Sequence, residues 1–420
     1  MGPLSLALGA DGGEVNPSPS PRLTAHKPSF SLAAVFSAVP MPANSDPFPL
    51  PEGCVAACRA CPHRQWSRQR SLSQKASFLH QALAAWKSQL RPIIGANDAE
   101  RWHYRPRTKL AMQQQQGAWR WGMEPHGEFL PLGRCPIHQP WINDAAESIM
   151  AALPGPETLP LRYWVQNGNQ TTLVCKIKPG AVEPLLPELR AKLAALNLPE
   201  ACKAIWLHAH PAAGRRMFAK AGWFLLRGQL WSETSSGLRH GPTSFVQVQE
   251  NLHQQSLDEA ARWLGANAES KVLDLYCGVG ASLRRWRQLG AQCLGVESSS
   301  EAVFCTAENA PGSSSLLGHC ATRLPQIREW SIQTPGLALA YVNPPRMGLE
   351  PEVLRFLIES YQPQRLAYLS CSPGTLARDL KAFSSAGWQV RDLQPYDFFA
   401  QTQHIEVLAL LKRDQTPTRS

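Results

Sequence analysis

The chain runs to 420 residues, with 42 Lys and Arg against 32 Asp and Glu and a formal net charge of +10 at pH 7. That length holds two or three domains with a real core, and the basic balance suits a polyanion, although a generically basic protein carries the same charge. No apolar run approaches the roughly 18 residues that cross a bilayer, and "MGPLSLALGADGG" lacks the basic start of a signal peptide. No membrane partner is therefore expected, the reducing cytoplasm is the expected compartment, and the eleven cysteines read as thiols or metal ligands rather than disulfides.

Residues 1–50 are rich in Pro, Ser and Ala without any period and read as disordered; Met41 is an alternative start. Residues 51–241 read as a second region. Its first part, Cys54 to Trp121, is basic and studded with Trp, Tyr and Gln, and "SLSQKASFLHQALAAWKSQL" (71–90) has the pattern of a helix. Cys54, Cys58 and Cys61 cluster, and Cys135 stands far off before a proline. That set suits a 4Fe-4S cluster, and by spacing alone a structural zinc on four cysteines is equally open. In "WHYRPRTKL" (102–110) arginines alternate with aromatics. Such a stretch suits phosphate contact and base stacking with RNA; the plainer reading is a solvated basic sheet edge. Residues 160–240 read as mixed strands and helices.

Residues 242–420 are more regular. "KVLDLYCGVG" reads as strand and turn, "ASLRRWRQLG" as a helix, "AQCLGVES" as a strand and "SEAVFCTAENA" as a helix. Strand "GLALAYVNPP", helix "EPEVLRFLIESY", strand "RLAYLSC", helix "GTLARDLKAFSSAG" and the closing strands "WQVRDLQPY" and "HIEVLALLKR" follow. Apolar strands alternating with helices predict an α/β fold whose parallel sheet is covered on both faces. In the first turn Gly278 and Gly280 let backbone approach a ligand at the carboxyl edge of the sheet, and Glu297, closing the second strand, suits ribose hydroxyls. Leu283 stands where a dinucleotide fingerprint needs glycine. S-adenosylmethionine is favoured over NAD on that account.

Three further signals share that edge: Asn343-Pro344-Pro345-Arg346, Cys371 and Glu406. A thiol, a carboxylate and a methyl donor together suggest one reaction. Carbon 5 of a pyrimidine is a poor nucleophile until a thiolate adds to carbon 6; after methylation, a base must remove the carbon 5 proton so that the thiol can leave. Cys371 is the candidate nucleophile, its thiolate favoured by the N-terminus of the next helix, and Glu406 is the candidate base.

"SCSPGTLARDL", "NPPRMGL", "DLYCGVG", "PTSFVQVQ" and "HIEVLALL" resemble the motifs of the bacterial RNA (uracil-5-)-methyltransferases, over roughly residues 54–412. The resemblance implies a class I S-adenosylmethionine-dependent methyltransferase, Rossmann-like with a mostly parallel seven-stranded sheet, behind an N-terminal α+β iron–sulfur domain. It implies Cys371 as nucleophile, Glu406 as base, Gln247, Tyr276 and Glu297 around the methyl donor, and Asn343 with Arg346 facing a base flipped out of its stack. It tips the cysteine set toward iron–sulfur, with Cys54, Cys58, Cys61 and Cys135 as ligands. Ribosomal RNA is the favoured substrate and transfer RNA the alternative; a folding factor that binds RNA with little activity is the rival outside enzymology. No obligate protein partner is implied, and the first 50 residues are too polar for the small RNA-binding barrel of ribosomal members. The chain departs from the family at Asn343, where aspartate is usual, at His319-Cys320, where an acid is usual, and at Gln249, where asparagine is usual. An amide both donates and accepts, so Asn343 tolerates uracil but would exclude cytosine less firmly than a carboxylate; a harmless swap is the favoured reading.

Overall fold

The computed structural model describes residues 48–214 and 216–413. The proline-rich stretch expected to be disordered lies outside them, save for its last three residues. Two sheets organise the described chain. The central one has seven strands in the order Leu130–Pro131, Ala118–Met123, Arg107–Gln115, Leu161–Asn167, Gln170–Cys175, Ala204–Ala209 and Trp223–Gly228. Only Gln170–Cys175 and Ala204–Ala209 run parallel. Helices Pro140–Ala152 and Leu186–Ala194 contribute Ile142, Ile149, Leu189 and Leu193 to the same core as Trp121 and Trp164, which meet edge-on at 5.5 Å.

The larger sheet has the order Ile94–Gly95, Trp388–Asp397, Glu406–Arg413, Arg365–Ser370, Leu337–Val342, Ser270–Leu275, Gln292–Glu297 and Ser314–Leu317. All neighbours are parallel except those of Glu406–Arg413, which runs antiparallel to both of its partners. The sheet is thus mixed and has eight strands, not seven. The extra strand is Ile94–Gly95, which pairs with Tyr396 and Asp397 from about 300 residues further along and so brings the N-terminal region onto the larger sheet. Its central strands are buried on both faces because helices cover each side: Leu273, Leu275, Val342 and Tyr368 pack into one core, and Val272, Leu339, Tyr341 and Leu369 into the other.

Helix Arg68–Ala82 also packs with the larger sheet. Its N-cap is Ser67, whose side chain accepts from the Arg70 amide, filling one donor that a helix start leaves open. Ser71, Lys75 and Leu79 lie four residues apart and are its buried positions. Lys75 is fully buried because its ammonium donates to Asp397 Oδ1 at 2.6 Å and to the Phe399 carbonyl at 3.1 Å. The predicted helix over 71–90 ends early, turning at Leu83 into a 3-10 segment, Ala84–Gln89. No helix among the described residues is long and apolar enough to cross a membrane.

Candidate active site

A cavity of about 810 Å³ opens at the carboxyl edge of the larger sheet. Gln247, Tyr276, Gly278, Glu297, Asn343, Arg346, Cys371 and Glu406 all line it. Gly280 does not. It is the left-handed N-cap of helix Ala281–Gln288, with φ +89°, and a Cβ there would meet the Thr306 side chain at 3.1 Å. Its role is to turn the chain, whereas a Cβ on Gly278 would project into open space.

Strand pairing brings the thiol and the carboxylate together. Ser370, the last residue of its strand, pairs with Val407; Cys371 follows the one and Glu406 precedes the other, so both stand at the same end of one antiparallel ladder. Glu406 is 4% exposed. Burial pushes its carboxyl up to about 8, and the Arg346 guanidinium pulls the other way. Burial also raises the Cys371 thiol, the Glu406 charge adds to that, and Arg346 again opposes. The thiol is therefore held above its usual range, contrary to the expectation from the following helix. Pro373 in the first turn of that helix has no amide N–H to offer, and desolvation is the larger effect. Arg346 is the cation that serves both groups.

Loop Asn343–Glu350 is fastened from the helix that follows Cys371. The Asn343 amide donates to the Leu275 carbonyl at 3.2 Å. The buried Asp379 accepts from the Leu349 amide at 3.0 Å and the Tyr368 hydroxyl at 2.8 Å. Arg378 donates to the Met347 carbonyl at 2.9 Å, and Thr375 to that of Arg346 at 3.1 Å. Sequence reasoning gave Thr375, Arg378 and Asp379 no task, although they stand inside the "SPGTLARDL" motif.

Around the glycine turn, the Glu297 carboxylate accepts from the amides of Gly278 (3.1 Å) and Ser299 (2.8 Å), which fixes it at its strand end. The Tyr276 hydroxyl donates to Glu350 at 2.9 Å. Gln247 is buried with its side-chain oxygen unpartnered. An orphan acceptor, a fixed carboxylate and a glycine without a side chain fit a ligand with an amino group and ribose hydroxyls. His319 and Cys320 also line this cavity. The acid that leads the turn, Asp274, does not: it lies beneath, accepting from the Trp286 indole at 2.8 Å. The "PTSFVQVQ" segment is held by Glu301, which accepts from the amides of Thr243 and Ser244.

The stretch Trp102–Leu110 is not a free sheet edge. Arg107–Gln115 lies inside the central sheet between two partners, and the Arg107 guanidinium sits 4.6 Å from the ring of Phe245, which is 55% exposed and lines the cavity.

Cys54, Cys58, Cys61 and Cys135 share a second cavity of about 250 Å³. Gly53 has φ +76°, and a Cβ there would lie 2.1 Å from the Arg134 carbonyl oxygen. Only glycine lets these two backbones approach so closely, and the approach sets Cys54 beside Cys135. Burial and neighbouring thiols push Cys61 up to about 12. Among the described residues no group of three or more His, Cys, Asp or Glu side chains is spaced to hold a metal ion.

The model of the tRNA (uracil-5-)-methyltransferase family matches residues 321–414, the stretch that holds Asn343, Arg346, Cys371 and Glu406. The chain is a relative of the RNA uracil-5-methyltransferases. An uncharacterized RNA methyltransferase of Thermosynechococcus vestitus is 28% identical over 85% of this chain and 83% of its own length. The 23S rRNA (uracil(1939)-C(5))-methyltransferase RlmD of an Enterobacter species is 26% identical over 84% of this chain and 80% of its own. The crystal structure of Pyrococcus abyssi tRNA (uracil-54, C5)-methyltransferase in complex with S-adenosyl-L-homocysteine shares the fold: TM-score 0.59, 18% identity, 84% of this chain and 86% of that one.

Proposed function

We propose that this chain methylates carbon 5 of a uridine in RNA, ribosomal before transfer RNA, using S-adenosylmethionine and a covalent bond from Cys371 to carbon 6. The observation that supports this reading is that Cys371 and Glu406, at one end of the ladder that pairs Ser370 with Val407, line the same cavity as Gln247, Gly278 and Glu297. Cys371, as thiolate, adds to carbon 6, and the displaced double-bond pair moves onto the carbonyl oxygen as an enolate. Carbon 5 then takes the methyl group from the sulfonium, whose bonding pair stays behind on the thioether. The Glu406 carboxylate takes the carbon 5 proton, the C–H pair restores the double bond, and the thiolate leaves. Arg346 offsets the negative charge that Cys371 and Glu406 carry in turn. Asn343 presents an amide to the ring edge, and Phe245, backed by Arg107, offers a face for stacking at the cavity. Ribosomal RNA is preferred because the cysteine pattern of residues 54–135 resembles that of the ribosomal branch of the family.

For the four cysteines we propose a 4Fe-4S cluster in preference to zinc. What supports it is the pattern of three clustered cysteines and a distant one before proline round one cavity, together with the family resemblance. A cluster there would be structural, tying Cys135 to the 54–61 segment.

The deciding experiment offers 23S ribosomal RNA and transfer RNA, each with labelled S-adenosylmethionine, to the wild-type enzyme and to Cys371→Ser. Methylated uridine in ribosomal RNA with the wild type alone is expected. Full-rate methylation by Cys371→Ser rules out the nucleophile, and label in transfer RNA alone reverses the choice of substrate.

A further inference from the structure

Glu406 reaches the cavity at the end of the loop 398–405, which also brings Phe399, His404 and Ile405 to its wall. That loop is gripped from the cysteine-rich segment. The Gln401 carbonyl accepts from the His63 amide at 3.1 Å, two residues after Cys61. The Gln401 side chain, buried with its residue at 1% exposure, accepts from the Arg101 guanidinium at 3.3 Å and donates to the Arg101 carbonyl at 3.3 Å. Arg101 also donates to the Trp66 carbonyl at 3.2 Å. Gln401 thus holds the segment after Cys61 through its backbone carbonyl and, through its side chain, the turn that leads to Trp102, a residue lining the cysteine cavity. From Gln401 onward the chain is braced internally: the Thr402 amide donates to the Phe399 carbonyl at 2.9 Å, and the His404 amide to the Thr402 hydroxyl at 3.1 Å. A shift at residue 401 therefore passes along a short, bonded path to residue 406.

We infer that Gln401 is a positioning residue for Glu406, through which the cysteine-rich segment sets the geometry of the proton-removal step. This rests on the methyltransferase reading above. It deepens that reading because the other partners have no contact with Gln401: Cys371 follows strand Arg365–Ser370, the donor side is held at Gly278 and Glu297, and the Asn343 backbone amide by the Leu275 carbonyl. Glu406, paired with Tyr396 at the start of its own strand, is instead led in by the loop that Gln401 holds. Gln401 then acts on one step alone. Cys371 addition and methyl transfer precede the need for a base; removal of the carbon 5 proton and expulsion of the thiolate do not. An enzyme with Glu406 misplaced completes the first two steps and remains bonded to its methylated RNA.

The test compares the full-length wild type, Gln401→Ala and Gln401→Glu on unmodified uridine RNA with S-adenosylmethionine. The Glu variant keeps the acceptor for Arg101. Three quantities are read: affinity for S-adenosylhomocysteine, the fraction of enzyme bonded to RNA on a denaturing gel at steady state, and the rate of release of methylated RNA. In Gln401→Ala, release slows by roughly tenfold, as expected for a misplaced catalytic group. The bonded fraction rises, donor affinity is unchanged, and Gln401→Glu restores most of the release rate. Release at the wild-type rate in Gln401→Ala overturns the inference. So does a parallel fall in donor affinity, adduct and release that Gln401→Glu does not relieve, since that is general destabilisation. A wild type that methylates no RNA instead overturns the function beneath it.

Discussion

Cys371 and Glu406 stand at the same end of two antiparallel strands, one following Ser370 and the other preceding its partner Val407, and both line one cavity. A thiol and a carboxylate set so close divide the chemistry between them. Cys371→Ala should abolish both the covalent adduct and turnover. Glu406→Gln should form the adduct yet lose turnover by roughly 10²–10⁴-fold, the span of general base catalysis. Gel-shift of denatured enzyme–RNA, beside release of the carbon 5 proton as tritium, separates the two.

The same pair sets a pH dependence. Glu406 is raised to about 8 and Cys371 is raised above its usual range, and each acts in its deprotonated form. Turnover should therefore climb from pH 7 through pH 8 and above, by at most about tenfold per unit for each group that must lose a proton. Arg346→Gln removes the cation that lowers both groups, so its rising limb should move to higher pH. A profile of kcat that is flat between pH 6.5 and 9 contradicts the assignment.

The unpartnered Gln247 oxygen is an acceptor awaiting a donor. Gln247→Leu fills a similar volume without it and should weaken S-adenosylhomocysteine by roughly tenfold, about the worth of one hydrogen bond. Calorimetric titration measures this directly, and unchanged affinity places the donor elsewhere in the cavity.

The buried Lys75–Asp397 pair is a stability element rather than a reacting one. Lys75→Ala strands a carboxylate and should cost about 3–5 kcal/mol, whereas Lys75→Met with Asp397→Leu should recover much of that loss. Urea unfolding of the three proteins gives the comparison. A double variant no better than the single one shows that the pair matters for more than its charges.

For the cysteines, anaerobic purification should yield a brown protein with iron and sulfide, and Cys61→Ser should lose the colour. Zinc in the preparation without iron would reverse the choice of metal.

The strands and helices from Ser270 to Arg413 were largely legible, because apolar runs there stop at glycine and proline and each element keeps one period. Strand Ser314–Leu317 was not: it is four residues long, half of them serine. Ile94–Gly95 carries no signal at two residues, and its existence depends on a partner 300 positions away. Motif residues such as Cys371, Glu406 and Glu297 were readable by type. Their meeting at one sheet edge was readable from the strand order; the register that sets each beside its neighbours was not, since register follows from pairing rather than from local pattern. Burial was equally hidden. It reverses the expected lowering of the Cys371 thiol, and it sets Asp274, the acid that leads the glycine turn, beneath the cavity in a hydrogen bond with Trp286. The tasks of Thr375, Arg378 and Asp379 emerge only when the loop they fasten is seen.

Because Ile94 and Gly95 complete the catalytic sheet against Tyr396 and Asp397, a nascent chain cannot finish that sheet as it is made. Its early segment must wait, unpaired, until almost the whole protein has left the ribosome. Closure across so long a sequence separation is slow, so the final native contacts form after synthesis ends, and a truncated product lacking the last strands leaves an open edge for other chains to join.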